Sequence, residues 1–162
     1  MDPYLIAKWL HILSATVLFG TGIGTAFQMV WAMRGNRAEV VAGVGAGVVA
    51  ADWLFTLPAG IIQPLTGFWL VQLAGWDLTE PWLLLTYALY GIALAAWLPV
   101  VWLQYRIRDL CRAAGPGPVP DKARQLYRIW FLLGWPGFGA LVAVFWLMAV
   151  SYTHLTLPTT PY

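Results

Sequence analysis

The sequence predicts an all-α protein, a single bundle of four transmembrane helices. Hydrophobic residues make up 60% of its 162 residues and charged residues only 10%, with a mean hydropathy of +0.70, whereas soluble domains carry roughly 25% charged residues. Four long segments contain no charged residue, and all but one of the basic residues lie in alternate connections between them. Because a chain this short cannot bury so much apolar surface in its own core, we expect a lipid bilayer to cover it.

Each of the four uncharged segments is long enough to cross a membrane, which takes about 20 apolar residues. They run for 25 residues after Lys8, 24 after Asp52, 25 after Glu80 and 22 over residues 129–150. We therefore predict one domain, residues 1–150, with spans at about residues 5–33, 48–74, 82–105 and 129–150.

The apolar stretch "VVAGVGAGVVA" (residues 40–50) is not predicted to be a fifth span. Only 12 uncharged residues separate Glu39 from Asp52, which is too few for a crossing. We expect this stretch to extend the second helix or to lie along the membrane surface.

The charges of the connections predict the orientation. Eight of the nine basic residues lie in the first and third connections, while the second, "GWDLTEP", has two acidic residues and no basic one. The positive-inside rule makes the two basic connections cytoplasmic. Both termini are then expected outside, in a multi-pass protein of the bacterial inner membrane.

The last twelve residues, "SYTHLTLPTTPY" (151–162), break the apolar pattern with Thr, Pro and Tyr. The string "VSYTHLTLPT" resembles the in-frame translation of a transposase-adapter sequence from short-read libraries. We interpret residues 151–162 as such an artefact and exclude them from fold reasoning. His154 is then not native, and His11 is the only native histidine.

The polar and small residues of the spans predict which helix faces turn inward. Lipid does not drive helices together, so contact faces in membranes favour small and polar side chains. At about 100° per residue, such residues align on each of the first three predicted helices. The stripes are Tyr4, Lys8, His11, Ser14, Ala15, Gly22 and Thr25; then Gly45, Asp52, Thr56, Ala59, Gln63 and Thr66; then Thr86, Tyr90, Ala93, Trp97 and Gln104.

Glycines predict further close contacts between helices. Gly134 and Gly137, with Trp130, indicate one such contact on the fourth helix. The small-xxx-small pairs Gly20/Gly24 and Gly43/Gly47 are interpreted as packing contacts.

Four prolines lie within the predicted spans, and each leaves one backbone carbonyl without its helical donor. The carbonyls belong to the residues four positions earlier, Leu54, Gly60, Ala95 and Leu132, before Pro58, Pro64, Pro99 and Pro136. In a membrane such carbonyls must find a partner on a neighbouring helix or a water molecule.

Ionisable side chains at membrane depth are functional candidates. Lys8 lies near the outer boundary, where we expect its stem to reach back to the headgroups. Asp52 lies near the inner boundary, where we expect a structural ion pair or helix-positioning contact with Arg34, Arg37 or Arg106.

His11 lies one to two turns inside the outer boundary, on the inward stripe. Two interpretations stay open. A hydrogen bond to Gln63, Thr66 or Tyr90 would satisfy the ring without chemistry, whereas the same ring could ligate haem or a metal, or handle a proton.

Several classes of site are excluded. The single cysteine, Cys111, allows no internal disulfide and no CxxC motif, and one native histidine allows no multi-ligand zinc site. There is no nucleophile elbow or phosphate loop, so no catalytic residue is assigned. The formal charge of +2 gives no reason to expect a nucleic-acid partner.

The sequence resembles a bacterial integral-membrane family catalogued as domain of unknown function 2269. The resemblance rests on "KWLHILSATVLFGTGIGTAF", "ADWLFTLPAGIIQPLTGFWL", "WLPVVWLQYRIRDL" and "WFLLGWPGFGALVAVFWLM", in this order, and covers residues 4 to about 150. It implies a four-helix inner-membrane protein without an assigned activity.

The first helix is also similar to the membrane protoporphyrinogen oxidases of the haem pathway, which share a lysine followed after two residues by His-Ile, as at Lys8 and His11-Ile12. This similarity implies a haem-binding role for His11. That family also uses a lysine in its third helix, and "PWLLLTYALYGIALAAWLPVVW" contains none.

The leading functional hypothesis is a haem- or porphyrin-associated membrane redox protein, with haem b as the cofactor. His11 would be the axial metal ligand, and the pocket would be shaped by Lys8, Gln63, Tyr90 and Trp97. The alternatives are a small permease or channel subunit, with a polar path through His11, Gln63, Thr56, Asp52 and Gln104, or a non-catalytic membrane scaffold. Homo-oligomers are compatible with each.

Overall fold

Five α-helices and one π-helical segment make up the computed structural model, which describes residues 2–156 and the side chains of residues 2–150. The elements are α1 (Pro3–Arg34), α2 (Ala38–Ala51), the π segment (Asp52–Thr56), α3 (Leu57–Ala74), α4 (Pro81–Ala114) and α5 (Asp121–Thr156). The side chains of residues 151–162 lie outside the described part of the chain. The interpretation of this stretch as an artefact stays a prediction.

The helices form four long rods. The second rod runs without a break from Ala38 to Ala74, through α2, the π segment and α3. Residues 40–50 therefore extend the second helix, as one of the two expectations had it. With α1, α4 and α5 this makes four rods long and apolar enough to cross a membrane. The predicted all-α fold of four membrane helices is confirmed, and its orientation stays a prediction.

Local chemistry explains where the rods begin and end. The Asp2 carboxylate accepts a hydrogen bond from the Tyr4 N–H (2.9 Å), and Pro3 takes the first helical position, where its missing N–H is not needed. Gly75 ends α3 with φ +70°, a left-handed conformation that glycine adopts without steric penalty.

The rods pack in two pairs that are joined at one end. α1 packs on α3, and α4 packs on α5, while α2 packs on both α1 and α4. The largest buried apolar cluster lies where α2 contacts α1 and α4, near the loops of residues 34–37 and 115–120. Its members are Met29, Ala32, Met33, Ala38, Val41, Ala42, Leu103, Ile107, Cys111, Val119, Ala123 and Trp130. We call this the basic end, and the opposite end, with residues 75–80, the open end.

Hydrogen bonds fasten the two loops of the basic end to each other. The Ala38 N–H donates to the Gly117 carbonyl (2.8 Å). The Asn36 Oδ1 accepts from the Val119 N–H (3.0 Å) and from Arg124 Nη2 (2.5 Å). The two pairs of rods are thus tied together at the basic end.

The predicted inward stripes are confirmed except at Gly22, which is exposed. The buried polar side chains of the described residues all belong to them: Ser14, Asp52, Thr56, Thr66, Thr86 and Gln104. Large apolar side chains such as Trp31, Leu54 and Trp146 are exposed by more than 60%, which suits surfaces covered by lipid.

The glycine predictions are confirmed at one position and wrong at the others. A Cβ on Gly137 would lie 3.3 Å from the Ala96 Cβ, so α4 and α5 are in close contact there. A Cβ on Gly134, or on either glycine of the two small-xxx-small pairs, would have no neighbour within 4 Å among the described residues. Those glycines face away from the helix contacts of this chain.

Candidate functional site

A cavity of about 630 Å³ lies between α1, α3, α4 and α5 on the open-end side of the bundle. Its size is typical of small-molecule sites. Four of the five residues predicted to shape a cofactor pocket line it together: Lys8, His11, Gln63 and Tyr90. The fifth, Trp97, does not line it.

Most of the cavity wall is apolar or aromatic. Phe68 and Tyr87 stack at 5.6 Å between ring centroids, and Trp76 and Trp82 meet edge to face at 5.1 Å. The sequence pattern predicts Trp76 and Trp82 as interfacial residues because they lie near span ends. Their role in the wall depends on the short loop that brings α3 and α4 together, which hydropathy alone does not reveal.

His11 is hydrogen-bonded through both ring nitrogens to α3. Nδ1 lies 2.9 Å from the Thr66 Oγ1, and Nε2 lies 3.0 Å from the Gln63 Nε2. The Gln63 Oε1 in turn accepts from the Ser14 hydroxyl at 2.5 Å. Two of the three partners expected for His11 are therefore present, and α1 is joined to α3 by a polar network.

The network assigns the tautomer of His11. The Thr66 hydroxyl donates to the Ile62 carbonyl of its own helix (2.8 Å), so its oxygen accepts the Nδ1–H of His11. Nε2 is then the unprotonated nitrogen and accepts from the Gln63 amide. The imidazole is neutral in this arrangement.

Gly67 makes room for the imidazole. A Cβ at this position would lie 3.3 Å from the His11 Cε1, closer than an ordinary contact, so a side chain here would push the ring away from Thr66. Sequence spacing alone does not identify this glycine, because its role depends on how α1 and α3 cross.

Tyr90 satisfies a carbonyl that a proline leaves without a donor. Its hydroxyl donates to the Gly60 carbonyl, one of the four expected to need an outside partner, since Pro64 has no N–H to offer. Tyr90 thereby links α4 to α3 at the deep edge of the cavity.

Lys8 lies toward the open end of the cavity. Its Nζ is 6.0 Å from the centre of the Tyr4 ring, one turn earlier on α1, within the range of a cation–π contact. The ammonium group is the positive charge of the cavity wall.

Asp52 and Thr56 belong to a second polar cluster, within the π segment. The Asp52 Oδ1 accepts from the Thr56 hydroxyl at 2.9 Å, and the Trp97 and Gln104 side chains of α4 face the same carboxylate. Trp97, predicted to shape the cofactor pocket, belongs here instead. Its stripe on α4 was predicted correctly, but it lies seven residues, about 10 Å, beyond Tyr90.

The expected ion pair of Asp52 with Arg34, Arg37 or Arg106 is wrong. Among residues 2–150 no basic group lies within 4 Å of its carboxylate, and Arg37 pairs with Glu39 at 2.7 Å. For Arg34 and Arg37 the reason is the length of the second rod; Arg106, two residues after Gln104, is exposed on another face of α4. Because α2 continues the helix, Asp52 lies about 21 Å along the axis from residue 38.

The residues of the predicted polar path therefore form two separate groups. Asp52 and Gln63 are 11 residues apart on one rod, about 16 Å. Between them, Tyr90 contacts the Gly60 carbonyl. No hydrogen bond described for residues 2–150 joins the His11 network to the Asp52 cluster.

The His11 network does not fit axial ligation of haem iron as it stands. A metal ligand needs a free nitrogen lone pair, and the lone pair of Nε2 is occupied by Gln63. The described residues contain no group of three or more His, Cys, Asp or Glu side chains able to hold a metal ion. Haem ligation by His11 stays a prediction that requires Gln63 to move.

Comparison with known proteins gives one match. The model of the family described as predicted integral membrane protein (DUF2269) matches residues 5–151. No curated protein and no solved structure matches significantly, so the similarity of the first helix to the haem-pathway oxidases finds no support there.

Proposed function

We propose that this chain, which belongs to the DUF2269 family of predicted integral membrane proteins, binds a porphyrin-class amphiphile within the bundle. The observation that carries the proposal is the apolar cavity of about 630 Å³ with His11, Gln63 and Lys8 in its wall. The proposal places the protein in the bacterial inner membrane, with the cavity toward the outer face.

The cavity chemistry supports a flat, largely apolar ligand with an acidic edge. Phe68, Tyr87, Trp76 and Trp82 offer aromatic surfaces, on which a conjugated ring stacks favourably. The Lys8 ammonium supplies a partner for a carboxylate at the open end. A ligand of this kind also partitions into lipid, from which it reaches the cavity between the helices.

The proposal does not depend on iron. The Gln63 amide and the His11 ring form a polar patch that hydrogen-bonds to a ligand or to each other without metal chemistry. The redox role expected from the sequence would require iron at His11 and the release of Gln63.

The test compares two probes, metal-free protoporphyrin and haemin, added to the purified full-length chain in detergent micelles. We expect saturable binding of both, read by quenching of tryptophan fluorescence and by a shift of the Soret band. Ala74→Trp places a large side chain in the cavity. It should weaken binding at least tenfold, a change of about 1.4 kcal/mol in binding free energy. Leu73→Trp is the matched control, because Leu73 does not line the cavity.

The variants separate cavity binding from partitioning into the micelle. If Ala74→Trp and Leu73→Trp bind both probes equally, the cavity is not the site and the proposal is wrong. His11→Ala distinguishes the chemistry: loss of haemin alone would indicate ligation, whereas equal weakening of both probes indicates hydrogen bonding.

A proton or small-solute permease is the alternative, and the buried Asp52 favours it. It predicts flux into vesicles containing the protein that Asp52→Asn abolishes. A chain that neither binds the probes nor supports flux would fit the scaffold hypothesis instead.

A further inference from the structure

Asp52 is a buried carboxyl with one oxygen left without a partner. The residue is 5% exposed. Its Oδ1 accepts from Thr56, while Oδ2 has no hydrogen-bond partner among residues 2–150. Buried carboxylate oxygens normally bond to donors, so this arrangement needs an explanation.

Two further unpartnered polar atoms lie on the α4 side of the cluster. Gln104 is 3% exposed, and within the described part of the chain neither its Oε1 nor the indole N–H of Trp97 has a hydrogen-bond partner. Both side chains face the Asp52 carboxyl. The Asp52 carboxyl is therefore surrounded by polar side chains that do not form a complete set of hydrogen bonds with it.

Among residues 2–150, no charged group forms an ion pair with Asp52. On the elements packed against it, α1 ends in Arg34 and carries Lys8 and His11 near its other end, α2 carries Glu39, and α3 has no titratable residue. On α4, Arg108 pairs with Asp109 at 2.8 Å and lies over the Tyr105 ring at 4.7 Å. None of these groups interacts with the Asp52 carboxyl.

The backbone at Asp52 is irregular. The Leu57 N–H donates to the Asp52 carbonyl, an i→i+5 bond in place of the usual i→i+4 bond, and Pro58 follows without an N–H of its own. π-helical turns are rare and occur frequently at functional sites. The irregularity begins at the acidic residue itself.

We propose that Asp52, Thr56, Trp97 and Gln104 form a proton-binding site. The carboxyl takes one proton from water, forming an O–H bond at Oδ2, and returns it to water by the reverse step. The apolar surroundings favour the neutral acid, and the Thr56 O–H donor favours the carboxylate. Both states are therefore supported by the same cluster, and this site does not depend on ligand binding at His11.

Infrared difference spectroscopy of the full-length chain in lipid nanodiscs tests the proposal. We expect the carbonyl-stretch band of a protonated buried carboxyl to disappear as pH rises, with a single midpoint. Asp52→Asn, which keeps the size and the bond to Thr56, should remove the band. Asp109→Asn, which changes an exposed carboxyl of α4, should leave it unchanged.

A second variant tests the hydrogen bond that Thr56 donates to the Asp52 carboxyl. Thr56→Val removes a hydrogen bond to the charged form, so the midpoint should move to higher pH, by about one pH unit. A band that does not titrate, or that persists in Asp52→Asn, would overturn the proposal. Loss of the band on adding sodium at constant pH would also overturn it, because it would indicate a metal cation at the same oxygens.

Discussion

At the scale of single residues, His11 acts first as a connector between two helices. Each ring nitrogen meets a side chain of α3, and the chain of bonds continues through Gln63 to Ser14 on α1. Hydrogen bonds between membrane helices contribute about 0.6 kcal/mol each on average and rarely more than about 1.7. The network therefore contributes to stability whether or not a ligand binds beside it.

Thr66→Val tests this structural role. Valine has nearly the same shape but leaves the buried Nδ1–H of His11 without an acceptor, so we expect a loss of about 1 kcal/mol in the free energy of unfolding. Reversible denaturation in mixed micelles measures the change. Thr16→Val is the control, because the exposed Thr16 hydroxyl bonds only to the Ile12 carbonyl of its own helix.

Equal losses in the two variants would show that the bond between Thr66 and His11 adds nothing beyond the local effect of replacing a threonine.

At the scale of helices, Tyr90 and Pro64 form one unit although they lie on different rods. The proline removes a donor from the Gly60 carbonyl, and the tyrosine hydroxyl supplies another. The sequence predicts the unsatisfied carbonyl, since it follows from the chemistry of proline alone. The identity of its partner does not follow, because it depends on the depth at which α4 passes α3.

A double-mutant cycle measures this unit. Tyr90→Phe should destabilise the protein by about 1 kcal/mol. In the Pro64→Ala background, residue 64 regains its N–H and the same substitution should have little effect, giving a coupling energy of about 0.5 kcal/mol or more. Additive effects would mean that Tyr90 does not compensate for the proline.

Asn36 connects the two loops of the basic end, and its backbone has φ +52°. Asn36→Gly keeps this conformation accessible but removes the bonds to Val119 and Arg124, so we expect a loss of about 1–2 kcal/mol in unfolding free energy. Asn36→Asp keeps an acceptor oxygen and should stay close to the parent protein. The same denaturation assay measures both, and equal losses would exclude a role for the acceptor.

Particular residues show how much the sequence could predict. His11, Gln63 and Thr66 were placed together because polar groups in lipid must find partners, and helical periodicity gives their faces. Periodicity does not give depth, which is why Trp97 was assigned to the wrong cluster. The missing ion pair of Asp52 has a similar cause, since charge counts set the end of the hydrophobic segment but not the end of the helix.

At the scale of the whole molecule, the bundle is closed at the basic end, and its cavity lies toward the open end. The two pairs of rods share an apolar core where α2 lies between α1 and α4. Toward the open end the cavity lies between the pairs. Ligand entry there requires no disruption of the closed end.

The predicted orientation is tested by cysteine labelling in intact bacterial cells. In a Cys111→Ala background, Leu78→Cys lies in the loop of the open end and Lys122→Cys at the basic end. We expect a membrane-impermeant maleimide to label the first in intact cells and the second only after permeabilisation. The reverse pattern would place the basic loops outside.

The π segment also determines which neighbour the second rod contacts. A π turn holds more residues than an α turn, so the residues after the segment face other directions than regular α-helical winding would give them. Before the segment, a Cβ on Gly45 would lie 3.1 Å from the Arg108 Cβ of α4; after it, a Cβ on Gly67 would lie 3.3 Å from the His11 Cε1 of α1. If the same residues were wound as a regular α-helix, the positions after residue 56 would be rotated by about 100°, which would turn Gln63 and Thr66 away from His11. The helix would gain regularity, and the bundle would lose the register that brings its first and second rods together.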